Sequence, residues 1–296
     1  MANYTIKDLE KLSGIKAHTI RIWEKRYGLI EPERTSTNIR TYCDAELKKL
    51  LNISILNKNG FKISKIANLT NDEITTNISR LTENLTDTET QIENLAIAMI
   101  DLDENKFERI LSRTIIQLGF EDTVIKVLNP FFMRIGIMWQ TGTINPAQEH
   151  FVSNLIRQKM LVAIDSQLSS ESPNTKNFLL FLPEGEMHEL GLLFASYLIR
   201  KRGHRVIYLG QNVPFNDLIE VDKIRSCHYL YLSFIVTLSD EEALNYLERL
   251  SKIFPDKSIY ITGQNKLRDL CSGFTNIKFI GSPKILISEL NYIDSL

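Results

Sequence analysis

The sequence predicts a multidomain α plus α/β protein in which a winged helix-turn-helix is followed by a four-helix bundle and then by a doubly wound, five-stranded parallel sheet. Three observations carry that prediction. The first 70 residues join two short helical patterns to a polar, β-compatible stretch. Residues 88–168 repeat apolar positions at helical spacing with only short polar breaks. Beyond residue 175, five apolar runs alternate with helical stretches. With 296 residues and 43% hydrophobic side chains, the chain can bury two or three cores, so disorder is not expected.

In the head, Thr5 is placed to cap a first helix with Ile6, Leu9 and Leu12 at helical spacing, and Ser13-Gly14 ends it. A second helix, from about Lys16 to Arg26, buries Ile15, Ile20 and Trp23 and keeps a basic face outward. The stretch YGLIEPERTSTNIRTYC reads as a two-stranded wing with a polar turn near residues 35–38. Asp44 is expected to cap a third helix running to about Asn59, and Phe61-Lys62-Ile63 to open a short fourth. Residues 72–88 are polar and rich in Thr and Asn, and read as a linker.

The order RIWEKRYGLI, then Arg34, then Arg40-Thr41-Tyr42 resembles the MerR family over about the first 70 residues. That resemblance implies binding to a double-stranded DNA operator. Arg34 and Arg40 would hold phosphates as forked cations and Tyr42 as a hydroxyl donor, while Lys16, His18, Thr19 and Arg21 would read bases. The same residues also fit a plainer account in which Tyr42 is a core aromatic and the arginines are a solvated face. Charge agrees with the division: residues 1–70 hold 13 Lys and Arg against 7 Asp and Glu, a balance of +6 that leaves −7 for the rest.

Helices are expected near 88–101, 104–118, 121–139 and 146–168. Trp139 closes the third, and Glu149-His150 falls in the first turns of the fourth, after Pro146. By chemistry alone this is as easily a core Trp and a terminal acid–imidazole pair. Trp, nine residues, then Glu-His nevertheless resembles the cap of the cobalamin-dependent MerR photoreceptor repressors, the CarH and LitR group. It implies that Trp139, Glu149 and His150 cover the adenosyl side of adenosylcobalamin. The residue after the Trp can be a cobalt-binding His in light-sensing relatives, and here it is Gln140.

Strands are expected near 177–182, 205–209, 228–234, 258–262 and 277–280, a parallel sheet that binds ligands beyond its carboxyl edge. Leaving the first strand, Glu186-x-His188-x-x-Gly191 offers an imidazole metal ligand, a carboxylate two residues away to bond its other nitrogen, and a small residue that leaves room for a bulky group. A lone loop histidine is the plainer account. The segment resembles the cobalamin-binding signature, with Ser233 and Gly263 at the family's downstream spacings; Ile235 and Gln264 depart from it. The resemblance implies a flavodoxin-like cobalamin fold in which His188 is the axial ligand of cobalt.

Three expected domains follow: a DNA-binding head at 1–75, a helical cap at 76–170 and a cobalamin domain at 175–296. The expected function is a transcription regulator, a repressor by resemblance, controlled by adenosylcobalamin and light and working as a homo-oligomer, dimer or tetramer. One alternative keeps the fold without cofactor and binds a partner protein, motivated by Gln140 and Gln264. Another, a cobalamin-dependent methyltransferase or mutase, lacks an evident substrate-activating domain. Cys43, Cys227 and Cys271 lie far apart, which suits neither disulfides nor zinc and fits a reducing cytoplasm. The charged N-terminus and the lack of a long apolar run argue against a signal peptide or a membrane span.

Overall fold

The computed structural model describes residues 4–34, 38–84, 88–140, 144–167, 174–235 and 239–295. The polar turn expected at 35–38 falls largely outside them, as do the residues between the last expected bundle helix and the first strand and the side chain of Gln140. The chain divides into two compact units, Met1–Leu155 and Ile156–Leu296.

The first unit begins with α1 (Ile6–Ser13) and α2 (Ala17–Tyr27). Thr5 and Asp8 form a reciprocal capping box at the start of α1, and Gly14 ends it at φ 72°, a left-handed cap that a residue with a Cβ adopts only with strain. Strands β1 (Glu33–Arg34) and β2 (Arg40–Thr41) pair antiparallel with Arg34 opposite Arg40. Helix α3 (Asp44–Lys58) starts one residue differently from the sequence reading. Cys43 is its N-cap and Asp44 its first residue, because the Asp44 carboxylate accepts the Tyr4 hydroxyl instead of a backbone N–H. Helix α4 (Ile63–Ile66) follows.

The linker expected at 72–88 is largely helical: α5 spans Asn71–Asn84. Thr70 and Glu73 cap it reciprocally, and Ile74 and Ile78, one turn apart, are buried where α5 meets α3. Poor helix formers between those two anchors hid the pattern. Helices α6 (Thr88–Ile100) and α7 (Glu104–Leu118) fall where expected. The third predicted helix is present and runs without a gap from Phe120 to Gln140, with one internal π turn. It comprises α8 (Phe120–Thr123), a π turn (Val124–Leu128) and α9 (Asn129–Gln140). Helix α10 (Pro146–Asp165) is capped by Asn145 and Gln148 and runs unbroken from the first unit into the second.

In the second unit the sheet has the order β4-β3-β5-β6-β7, all parallel. Its strands are β3 (Asn177–Pro183), β4 (Arg205–Val213), β5 (Tyr229–Phe234), β6 (Ser258–Gly263) and β7 (Ile277–Phe279). The helices α11 (Leu190–Lys201), α12 (Phe215–Ile224), α13 (Asp240–Ile253), α14 (Leu267–Cys271) and α15 (Pro283–Asp294) connect and follow them. The residues Phe178 to Leu182 of β3 are buried throughout, as an apolar strand covered on both faces must be. Counted within the sheet, the strand order is 2-1-3-4-5, which reverses direction between β3 and β5. Loops leaving those two strands therefore flank the crevice where such folds bind ligands.

Candidate functional site

Two regions carry the chemistry. In the head, α2 presents Lys16, His18 and Arg21 to solvent with Thr19 half-exposed, while Ile20 and Trp23 turn into the core. Lys16 is paired with Glu10 at 3.2 Å. Arg34 is exposed and donates to Asn38 Oδ1 at 2.6 Å. Arg40 and Tyr42 converge on one acid that sequence reasoning passed over: Arg40 Nε donates to both Glu24 oxygens at 3.1 and 3.2 Å, and the Tyr42 hydroxyl donates to Glu24 Oε2 at 3.4 Å. Tyr42 is only 1% exposed, and burial with the nearby Glu24 charge pushes its phenol up to about 12. Glu24 thus fixes the second wing strand to the basic helix. The one signal for it was a single acid on an otherwise cationic helix face.

The helical part of the first unit holds Trp139, Glu149 and His150. Trp139 is 51% exposed, which is unusual for a side chain with so much apolar area. His150 is exposed, with Nδ1 at 2.9 Å from Glu149 Oε2, and Glu149 Oε1 accepts the Ser153 hydroxyl at 2.5 Å. Deeper in this unit, Glu93 of α6 is buried at 1% exposure beside Lys58 of α3, whose Nζ donates to it at 2.9 Å. Ser54 of α3 donates to Glu93 Oε1 at 3.4 Å and lies 3.3 Å from the Ser13 carbonyl at the helix-turn-helix corner. Burial raises the Glu93 carboxyl above its ordinary range, with Lys58 opposing.

In the second unit the loop after β3 is organised by Glu186, 3% exposed. Its Oε1 accepts from the backbone N–H groups of Met187 and His188, each at 2.9 Å, and lies 2.7 Å from His188 Nδ1. Its Oε2 accepts the Ile235 N–H at the end of β5, at 2.7 Å. A buried carboxylate ringed by donors makes Nδ1 the protonated nitrogen of the neutral imidazole, so Nε2 carries the lone pair. The His188 side chain is 60% exposed. Strand β4 braces the same loop from the other side. Asn212 Oδ1 accepts the Gly185 N–H at 2.8 Å, the Asn212 N–H donates to the Glu186 carbonyl at 3.3 Å, and Gln211 Nε2 donates to the Met187 carbonyl at 2.5 Å. Bulges in the β3–β4 ladder and a positive φ of 53° at Asn212 extend β4 four residues past the expected end, and this brings both side chains to the loop.

Gly191 opens α11 with free space where a Cβ would stand, whereas Ser233 is buried on β5 opposite Thr262 of β6. Gly263 is constrained by the sheet itself. A Cβ there would lie 2.0 Å from the Phe234 carbonyl oxygen, so glycine is required by strand-to-strand approach. The Gln264 amide donates to the Ile235 carbonyl at 3.0 Å. His204 is buried and His228 receives the Asn177 N–H on Nδ1, so both belong to the opposite, amino edge of the strands.

Residues 4–73 match the family described as MerR HTH family regulatory protein, and residues 91–163 match the family described as B12 binding domain. With the fold above, these matches define a MerR-type transcriptional regulator that carries a B12-binding domain. Over 266 residues the chain is 29% identical to the HTH-type transcriptional repressor CarH of Myxococcus xanthus, covering 85% of each chain. It is 26% identical over 245 residues to the HTH-type transcriptional repressor CarA of the same organism, covering 82% of this chain and 80% of that one. Among solved structures, the monomethylamine corrinoid protein of Methanosarcina barkeri shares the fold at a TM-score of 0.56 and 13% identity, over 71% of this chain and 100% of that one. No helix among the described residues is long and apolar enough to cross a membrane.

Proposed function

We propose that this regulator binds adenosylcobalamin through His188 and that the cofactor, and light acting on it, controls DNA binding by the head, in the sense of a dark-state repressor. The observation that carries the reading is the Glu186–His188 pair: an exposed imidazole at the sheet's switch point with one nitrogen fixed by a buried acid and the other available. A metal already held in a macrocycle needs one such donor from the protein. Gly191 leaves open space at the start of α11 where a side chain would otherwise stand.

In this reading His188 would hold the cobalt through its free ring nitrogen, and Glu186 keeps the other nitrogen engaged and the ring oriented. Gly191, Ser233 and Gly263 would help hold the cofactor's nucleotide tail, and Trp139, Glu149 and His150 would hold its adenosyl group. The cofactor supplies a cobalt–carbon bond that visible light breaks. Lys16, His18, Thr19 and Arg21 read bases in the major groove while Arg34 and Arg40 hold phosphates; Tyr42, buried with its hydroxyl on Glu24, braces the wing instead of reaching a phosphate. The three-part division at 1–75, 76–170 and 175–296, a homo-oligomer on tandem sites, a cytoplasmic location and a non-enzymatic role complete the proposal.

Reconstitution of the full chain with adenosylcobalamin in darkness, followed by absorption spectra and sizing before and after illumination, tests it. The expected result is a bound corrinoid with a histidine-on spectrum, a changed species on illumination, and loss of the histidine-on spectrum in His188→Ala. Failure of the wild-type protein to bind would transfer the reading to a cofactor-free module that recognises a protein partner. On the DNA side, Arg40→Ala should weaken binding to all duplexes alike and lower the salt slope by about 1; an unchanged affinity contradicts the wing assignment.

A further inference from the structure

Glu189 follows His188 directly and belongs to no motif in the sequence. Its carboxylate is nearly buried and engaged at both oxygens. Arg157 Nε of α10 donates to Oε1 at 2.5 Å, and the Tyr208 hydroxyl of β4 donates to Oε2 at 3.1 Å. The main-chain carbonyl of the same residue accepts the Leu193 N–H and so opens α11. One residue is therefore held by α10, β4 and α11 together. Glu186 grips the ring nitrogen of His188, and Glu189 grips the backbone that carries the ring.

We propose that Glu189, clamped by Arg157 and Tyr208, is a positioning residue for the His188 imidazole, and that through Arg157 helix α10 governs how firmly that imidazole is held. The inference rests on the reading of His188 as an axial ligand. Charge-assisted Arg–carboxylate bonds are short and directional, so the pair at 2.5 Å fixes register and not merely proximity. Arg157 is about half exposed whereas Glu189 is covered, which makes the guanidinium the member of the pair that can leave. Tyr208 stays protonated and donating: burial first, then the Glu189 charge, pushes its phenol well above the ordinary range. The Glu189 charge in turn raises the Arg157 guanidinium. Arg157 lies on the part of α10 that belongs to the second unit, with Glu189 and Tyr208.

The test uses the full chain in two states. In the apo protein, amide hydrogen exchange is measured across residues 186–190 for the wild type, Glu189→Ala, Arg157→Ala and Arg157→Lys. Both alanine variants should speed exchange there by about tenfold or more while β5 and β6 keep wild-type protection, and lysine should restore part of it. In the protein loaded with cob(II)alamin, electron paramagnetic resonance reads the nitrogen splitting from an axial imidazole. The wild type should show it, the alanine variants should show a smaller imidazole-bound fraction, and Arg157→Lys should recover some. Unchanged exchange overturns the clamp. Faster exchange with an undiminished imidazole-bound fraction overturns the positioning role. Absence of splitting already in the wild type rejects His188 as ligand, and this inference with it, a result separate from any difference between variants.

Discussion

At the scale of single residues, two acids, one buried and one half-buried, organise the two regions that carry the chemistry. Glu186 accepts from Met187, His188 and Ile235 and fixes an exposed imidazole. Removing its side chain leaves several donors without a partner in a covered site, at a cost of roughly 3 kcal/mol. Glu186→Ala should lower the urea midpoint accordingly, whereas His188→Ala, which removes an exposed ring, should leave it nearly unchanged. Equal midpoints for wild type and Glu186→Ala contradict the bracing role. Glu24 plays the corresponding part in the head by holding Arg40 and Tyr42. The pair Glu186 and His188 was legible because two residues of spacing placed a carboxylate beside a ring nitrogen. Asn212, Gln211 and Glu24 were not, because their roles arise from a strand bulge and from a wing folding back onto a helix, contacts distant in sequence.

Among the elements, those with strong apolar periodicity or continuous apolar runs were readable from the chain: α1, α2, α6, α7 and all five parallel strands fall within a few residues of expectation. Misreadings occurred where tertiary packing overrides local pattern. Helix α5 holds because Ile74 and Ile78 dock on α3; the π turn at Val124–Leu128 widens one turn of the expected helix without interrupting it. Gly263 joins β6 to β5 at a distance no side chain tolerates, so Gly263→Ala should destabilise the second unit by about 3 kcal/mol or more, or prevent its folding. A wild-type melting temperature in that variant would count against the register observed here. In the first unit, Glu93 and Lys58 join α6 to α3 with unequal burial. Lys58→Met strands a buried carboxylate and should cost roughly 3 kcal/mol in urea unfolding, while Glu93→Met releases a half-exposed lysine and should cost much less. Equal losses would contradict that asymmetry.

Across the whole molecule, a basic reading head and an α/β module with a histidine loop form separate compact units linked by α10. The second unit carries an acid sensitivity unrelated to that loop. Burial, reinforced by neighbouring lysines, lowers the pKa of His228, and burial lowers that of His204 against the opposing pull of Asp294. The unfolded chain takes up protons at these sites near pH 6.5 and the folded one only at lower pH. Stability should be flat above about pH 6.5 and fall as pH drops through the folded values. Melting temperatures at pH 7.5 and about 5.5 should therefore differ, and the difference should shrink in His228→Asn; identical temperatures contradict the assignment. The most direct test of the account as a whole is the affinity of the dark, full-length protein for a duplex selected by it from a random-sequence pool, measured with and without adenosylcobalamin and repeated with His188→Ala. The account predicts an affinity that changes at least about tenfold with cofactor in the wild type and not at all in the variant. An affinity indifferent to cofactor in the wild type, or an equal response in His188→Ala, would contradict it.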